Sequence, residues 1–260
     1  MRPERPPLLF AFLAAIGVAF VVLPLVGLLS RAPWETALSD LGTPEAATAL
    51  RLSFVVSLAA TALALVLGVP LAWVYARVQF RGRDVVRALT TLPMILPPVV
   101  GGVALLFAFG RRGLFGPALD AIGIHLPFTT AGAVLAATFV AMPFLVLTVE
   151  AGLRSMDRRY EDAARTLGAG RWLVFRRVTL PLIAPSVFAG AVLCWARALG
   201  EFGATITFAG NLPGTTQTLP LAVYIALETR PEVAIALSLV LLGLALAILV
   251  VMRDRYLRAF

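Results

Sequence analysis

Few residues in this sequence could do chemistry. All 22 basic residues are arginine, and lysine is absent. A phosphate-binding loop needs lysine to reach nucleotide phosphates, and a Schiff base needs an amine, so the chain alone can supply neither. One histidine, His125, and one cysteine, Cys194, exclude an HExxH zinc site, a Cys/His cluster and an internal disulfide. Cys194, between Leu193 and Trp195, reads as a small buried apolar residue. What remains is an ionisable pair, Arg197 and Glu201, one helical turn apart in apolar surroundings. Such a pair faces a bundle interior or an aqueous cavity. It reads as a self-neutralising structural bridge or as a gate. Pro93, Pro97 and Pro98, followed by Gly101 and Gly102, each disturb a helix and point to a break beside a pathway.

The elements that position these residues must be membrane helices. The 260 residues are 60% hydrophobic and 14% charged, against roughly 25% charged in soluble domains. A crossing needs about 20 apolar residues, and only helices satisfy their backbone in lipid over such uninterrupted stretches. Six spans are expected in one all-α transmembrane domain covering 1–260: 8–29, 52–75, 88–109, 131–150, 183–203 and 233–252. The first is too long for a secretion-signal core. Thr43 and Pro44 read as the cap and first residue of the helix carrying the second span. Ala196, Gly200 and Ala204 read as a small-residue face closing the fifth. A further charge-free stretch, 202–227, carries Asn211, Pro213, Gly214 and Gln217, and reads as a re-entrant or surface-lying segment. With both termini cytoplasmic, sixteen arginines lie inside and five outside, which fixes the orientation. Basic charge is then a topology signal, and no nucleic-acid partner is implied.

The longest charged segment, within 154–181, falls on the cytoplasmic side. Tyr160, Ala163, Ala164 and Leu167 recur at i, i+3, i+4 and i+7, while Arg158, Arg159, Glu161, Asp162 and Arg165 occupy the rest of a short amphipathic helix. Asp157 can cap it, Gly168 and Gly170 can end it, Trp172 and Phe175 share a face of a second short helix, and Pro181 closes the unit. Taken alone, such a helix could rest on anionic headgroups. However, Asp162-Ala163-Ala164, three residues, Gly168, nine residues, Val178-Thr179-Leu180-Pro181 resembles the EAA loop of ABC importer permeases. Asp162 stands for the usual Glu, with Glu161 adjacent, and Val178 for Ile. The resemblance implies a coupling helix that docks on a separate ATPase through Tyr160, Glu161, Asp162, Ala163, Ala164, Leu167, Gly168, Trp172, Phe175 and Pro181. ATP and Mg would be bound by that partner, with no cofactor in this chain.

The run from Arg197 to Phe208 and the following Gly210-Asn211-Leu212-Pro213-Gly214 through Tyr224 is similar to permeases of molybdate ABC transporters. Sulfate permeases share its Gly200-Glu201-Phe202-Gly203 portion. The resemblance implies a type I (MetI-like) importer permease fold, a second copy of the chain, two ATPase subunits, an extracytoplasmic oxyanion-binding protein, and a cell (plasma) membrane location. Molybdate, with tungstate, would be the cargo. The path or gate would include Pro97, Pro98, Gly101, Arg197, Glu201, Thr205, Thr207 and Asn211, of which Thr205, Thr207 and Asn211 offer hydroxyls and an amide without fixed charge. The alternatives are a sulfate or thiosulfate permease, an intramembrane enzyme, for which the spans hold no His/Ser/Asp grouping, and a passive channel, which has no use for the coupling loop.

Overall fold

The computed structural model describes residues 7–256 and is helical, with no strand among them. Arg2, Arg5 and Arg258, on which part of the expected orientation rests, lie outside the described residues. Apolar composition dictates the first helix, α1 (Leu8–Ser30), which buries none of its side chains. A short α2 (Ala37–Leu41) follows. Thr43 then accepts the Ala46 N–H on its hydroxyl and Pro44 takes the first helical position, which starts α3 (Pro44–Arg77).

Three helices form the core: α3, α7 (Thr130–Ser155) and α10 (Leu180–Leu199). Lipid tails are as apolar as leucine, so association depends on close packing rather than on burial from water. Small residues provide it: Ala60, Ala64, Ala72, Ala133, Ala137 and Ala141 are buried, and a Cβ on Gly68 would meet Leu145 Cδ2 at 2.8 Å. Trp195 of α10 donates from Nε1 to Ser57 Oγ of α3 at 3.0 Å. Cys194 is buried in this core, as its neighbours imply. His125, in the loop before α7, pairs with Asp120 at 3.1 Å, both well exposed.

The proline cluster breaks the third apolar stretch. It comprises α4 (Arg83–Thr91), a 3-10 turn at Leu92–Met94 and α5 (Pro98–Phe109), and the two halves are bent by 117°. After α5 comes α6 (Gly116–Ala121). Beyond α7, the charged segment forms α8 (Arg159–Thr166) and α9 (Arg171–Val174). The stretch 202–227 contains α11 (Gly203–Phe208) and most of α12 (Leu219–Thr229), each too short to cross. α13 (Pro231–Tyr256) packs against α12 and ends the described chain. Among the described residues, five helices are long and apolar enough to span a membrane, or six if the bent pair counts as one span.

Two expectations fail. Pro181 does not close the charged unit: α9 continues through a π turn, Phe175–Thr179, into α10, giving 29 residues from Arg171 to Leu199. Pro181 has no N–H to give and its ring would crowd a tight preceding turn, and the π turn widens that turn, with the Leu180 N–H reaching Phe175 O. At the far end, Gly200 caps α10 rather than extending it. Ala196 and Ala204 therefore sit on different helices, and their small-residue face does not exist.

Candidate functional site

Asp157 Oδ1 accepts the Arg159 N–H at 2.9 Å and starts α8. At the other end Gly168 adopts φ +84°, the Leu167 N–H bonds Ala163 O at 3.2 Å, and the Ala169 N–H bonds Ala164 O at 3.1 Å. This is a left-handed helix cap, and a Cβ at Gly168 would meet nothing within 4 Å, so conformation alone demands the glycine.

The segment is bolted to the bundle through its charges. Glu161 is 3% exposed; its Oε2 lies 3.2 Å from Arg77 Nε, and its Oε1 accepts from Thr179 Oγ1 at 2.7 Å. Arg77 also donates to Leu153 O at 2.9 Å, and Arg158 to Ala76 O at 3.2 Å. One carboxylate therefore joins α8 to the end of α3 and to the π turn leading into α10. Glu161 is consequently an internal anchor, which corrects its assignment to the docking surface.

The residues left facing outward mix apolar and charged side chains, with Arg159 and Arg171 exposed among them. Tyr160, Ala163, Leu167 and Trp172 are exposed, Leu167 at 88%. Trp172 stacks on Phe175 with ring centroids 5.7 Å apart, and Asp162 pairs with Arg165 at 3.2 Å. Ala164 is half-buried. A surface presenting tyrosine, leucine and tryptophan beside a fixed charge pair is suited to protein contact.

A second constellation was not read from the sequence. Glu150, 1% exposed at the end of α7, receives Arg87 Nε at 2.9 Å and Arg154 Nη2 at 2.6 Å. It ties α4 to α7. The Glu150/Arg154 spacing of four was a visible signal, whereas Arg87 lies 63 positions away.

Of the residues assigned to the path, Pro98 and Thr207 lie where α5 crosses α11. A Cβ on Gly102 would lie 2.6 Å from Thr207 Cβ and 2.9 Å from Ala204 O, and one on Gly203 would lie 2.8 Å from Pro98 Cβ. The crossing exists because glycine occupies both sides of it. Gly101 faces Phe139 of α7, where a Cβ would meet the ring at 3.2 Å, so it is a packing position. Pro97 and Pro98 are exposed at the start of α5.

Arg197 Nη2 lies 2.6 Å from Glu201 Oε2, and Glu201 Oε1 accepts the Ala204 N–H at 2.7 Å, capping α11. The pair thus holds the corner between α10 and α11. Thr205 is buried, and Thr207 spends its hydroxyl on Gly203 O at 2.8 Å. Asn211 lies apart from this crossing, just after Gly210 at φ +76°, in a loop closed by the Leu212 N–H donating to Thr216 Oγ1. Its Oδ1 is buried without a partner. Among the described residues no group of His, Cys, Asp and Glu could hold a metal ion.

Comparison with known proteins follows the same lines. Residues 64–259 match the family described as binding-protein-dependent transport system inner membrane component. The molybdenum transport system permease protein ModB of Mycobacterium tuberculosis is 48% identical over 246 residues, covering 94% of this chain and 93% of that protein. The sulfate transport system permease protein CysT of Salmonella typhimurium is 35% identical over 88% of this chain and 84% of its own length. A bacterial alginate ABC transporter, solved with an alginate-bound periplasmic protein, superposes with TM-score 0.73 at 20% identity, over 96% of this chain and 94% of that one. That likeness shows the fold, a type I ABC importer permease. With a multi-pass bundle, a broken third span and an outward-facing charged segment already in place, the chain belongs to the binding-protein-dependent transport system inner membrane components.

Proposed function

We propose that this chain is the permease subunit of an ATP-driven molybdate importer that also carries tungstate. Energy comes from a separate ATPase, and substrate from an extracytoplasmic binding protein. The observation that carries this reading is α8 and α9: Tyr160, Leu167 and Trp172 face outward, while Glu161 fixes the segment to α3 and α10 from within. A helix anchored from within by a buried charge, with Tyr160 and Leu167 on its free side, is built to receive a force and pass it on.

The basic end of the bundle, with Arg77, Arg83, Arg87, Arg154 and Arg158, is the cytoplasmic end by the preference of arginine for that side. Two copies of the chain, each docked on one ATPase subunit, enclose the path. The exposed apolar residues Ile95, Val99, Val103 and Phe107 of the broken helix suit that contact. The docking contacts are Tyr160, Asp162, Ala163, Leu167, Trp172 and Phe175, and the path runs past the α5/α11 crossing. Molybdate is preferred to sulfate as cargo because the likeness to the molybdenum permease is the stronger and spans more of the chain.

The deciding experiment is uptake into proteoliposomes holding the complex of permease and ATPase, with its binding protein and ATP outside and inside respectively. Labelled molybdate should enter with ATP and be displaced by tungstate. Preferential displacement by sulfate would make this a sulfate permease, and uptake without ATP would make it a channel.

A further inference from the structure

At the basic end, the termini of α3, α4, α7 and α8 enclose a cavity of about 310 Å³ lined by Ala76, Arg77, Gln79, Arg83, Arg154, Met156 and Arg158. Four of its seven lining residues are arginine and none is acidic. Glu161 meets Arg77, and Glu150 is shared between Arg154 and Arg87, so two buried carboxylates face five arginines. Asp84 and Asp157 are exposed; the first lines the adjoining cleft and the second caps α8.

Donors in the cavity also lack acceptors. Arg83 Nε is buried with no hydrogen-bond partner, and Arg77 Nε, though near Glu161, makes no well-formed hydrogen bond. Unpaired buried N–H groups of guanidinium are costly, and their natural complement is an oxyanion, whose oxygens accept several such bonds at once. The space is about ten times the ~30 Å³ share of one water molecule, enough for a tetrahedral dianion with part of its hydration.

We propose that this cavity is a binding site for a tetrahedral oxyanion, either a free dianion such as phosphate or sulfate, or the phosphate of an anionic lipid headgroup. Its place gives it a consequence. Arg158 and Arg77 both already link α8 to the end of α3. An anion bridging them to Arg83 of α4 and Arg154 of α7 stiffens the joint through which the coupling segment moves. The site is independent of which ion crosses the membrane, so its test and the uptake assay fail separately.

The test uses the purified complex of permease and ATPase in neutral detergent. In the first arm, thermal stability is followed while sodium sulfate or phosphate is titrated at millimolar levels against chloride of equal ionic strength. The second arm measures retention of phosphatidylglycerol by native mass spectrometry. Four proteins are compared: the parent, R83Q/R158Q, Q79E and, as a distant exposed control, R111Q. Q79E keeps every arginine and places a repelling charge in the cavity, so it remains informative should the double variant fold poorly. A response in the parent and R111Q that weakens about tenfold in apparent affinity in Q79E and R83Q/R158Q confirms the site. The arm in which it appears identifies the free ion or the headgroup. Equal behaviour of all four proteins in both arms overturns the proposal.

Discussion

Glu161 concentrates more structure than any other single side chain of the α8/α9 segment. Breaking a buried ion pair by removing one partner leaves an uncompensated charge, at a cost of about 3 to 5 kcal/mol. E161Q should therefore lower the thermal midpoint of the complex by several degrees and depress coupled uptake. A well-packed R77M/E161M pair should recover much of the stability by removing both charges, while leaving uptake low, because Thr179 has lost its acceptor. Stability of the double variant no better than that of E161Q would show that Arg77 and Glu161 do not act as a pair. The sequence displayed both residues but not their meeting, since they stand 84 positions apart. It also invited an inversion. By the usual rule the stripe of Tyr160, Ala163 and Leu167 should face the core, yet that stripe is exposed and one charged residue, Glu161, is buried instead. Periodicity gives a helix its two faces; it does not say which is inside when a partner subunit is still to come.

At the scale of elements, the α5/α11 crossing gives an ordered prediction. G102A places a Cβ against backbone and a β-branched side chain, whereas G101A meets only the edge of a phenylalanine ring that can turn. G102A should cost about 1 to 3 kcal/mol and G101A less, measured as loss of monodisperse protein on heating. The π turn provides another test. P181A restores an N–H and removes the ring, allowing Phe175–Thr179 to tighten into α-helix and turn Trp172 and α8 about the axis of α10. ATP hydrolysis should persist while uptake per ATP falls; unchanged uptake would mean that the π turn does not set the angle of the coupling segment. The sequence announced the break at Pro93 to Pro98, the Thr43 cap and the turn at Gly168, because each is a local backbone demand. It concealed the continuity through Pro181, where a widened turn absorbs a residue that ordinarily ends a helix, and the corner at Gly200, where Glu201 abandons the helical repeat to cap α11.

For the whole molecule, docking and folding are separable. Leu167 is nearly free of contacts within the chain, so L167D should change the stability of the isolated permease by no more than about 0.5 kcal/mol. If Leu167 is an anchor of the interface, the same change should weaken co-purification of the ATPase about tenfold or more; undiminished capture would place the docking surface elsewhere. Hydropathy made the helical membrane architecture legible, because it reports on lipid, which acts on every span alike. Assembly is different in kind. Contacts such as those of Gly68 with Leu145 or Gly102 with Thr207 depend on shape, which a linear text does not carry. That contrast reaches its limit in α1, none of whose side chains is buried within the chain. Such a helix touches α13 but buries nothing there, so within one copy the surrounding lipid constrains its leucines, valines and phenylalanines more than packing does. An isolated copy therefore leaves the whole of α1 bare to its surroundings, while the glycines and alanines of α3, α7 and α10 are locked between neighbours.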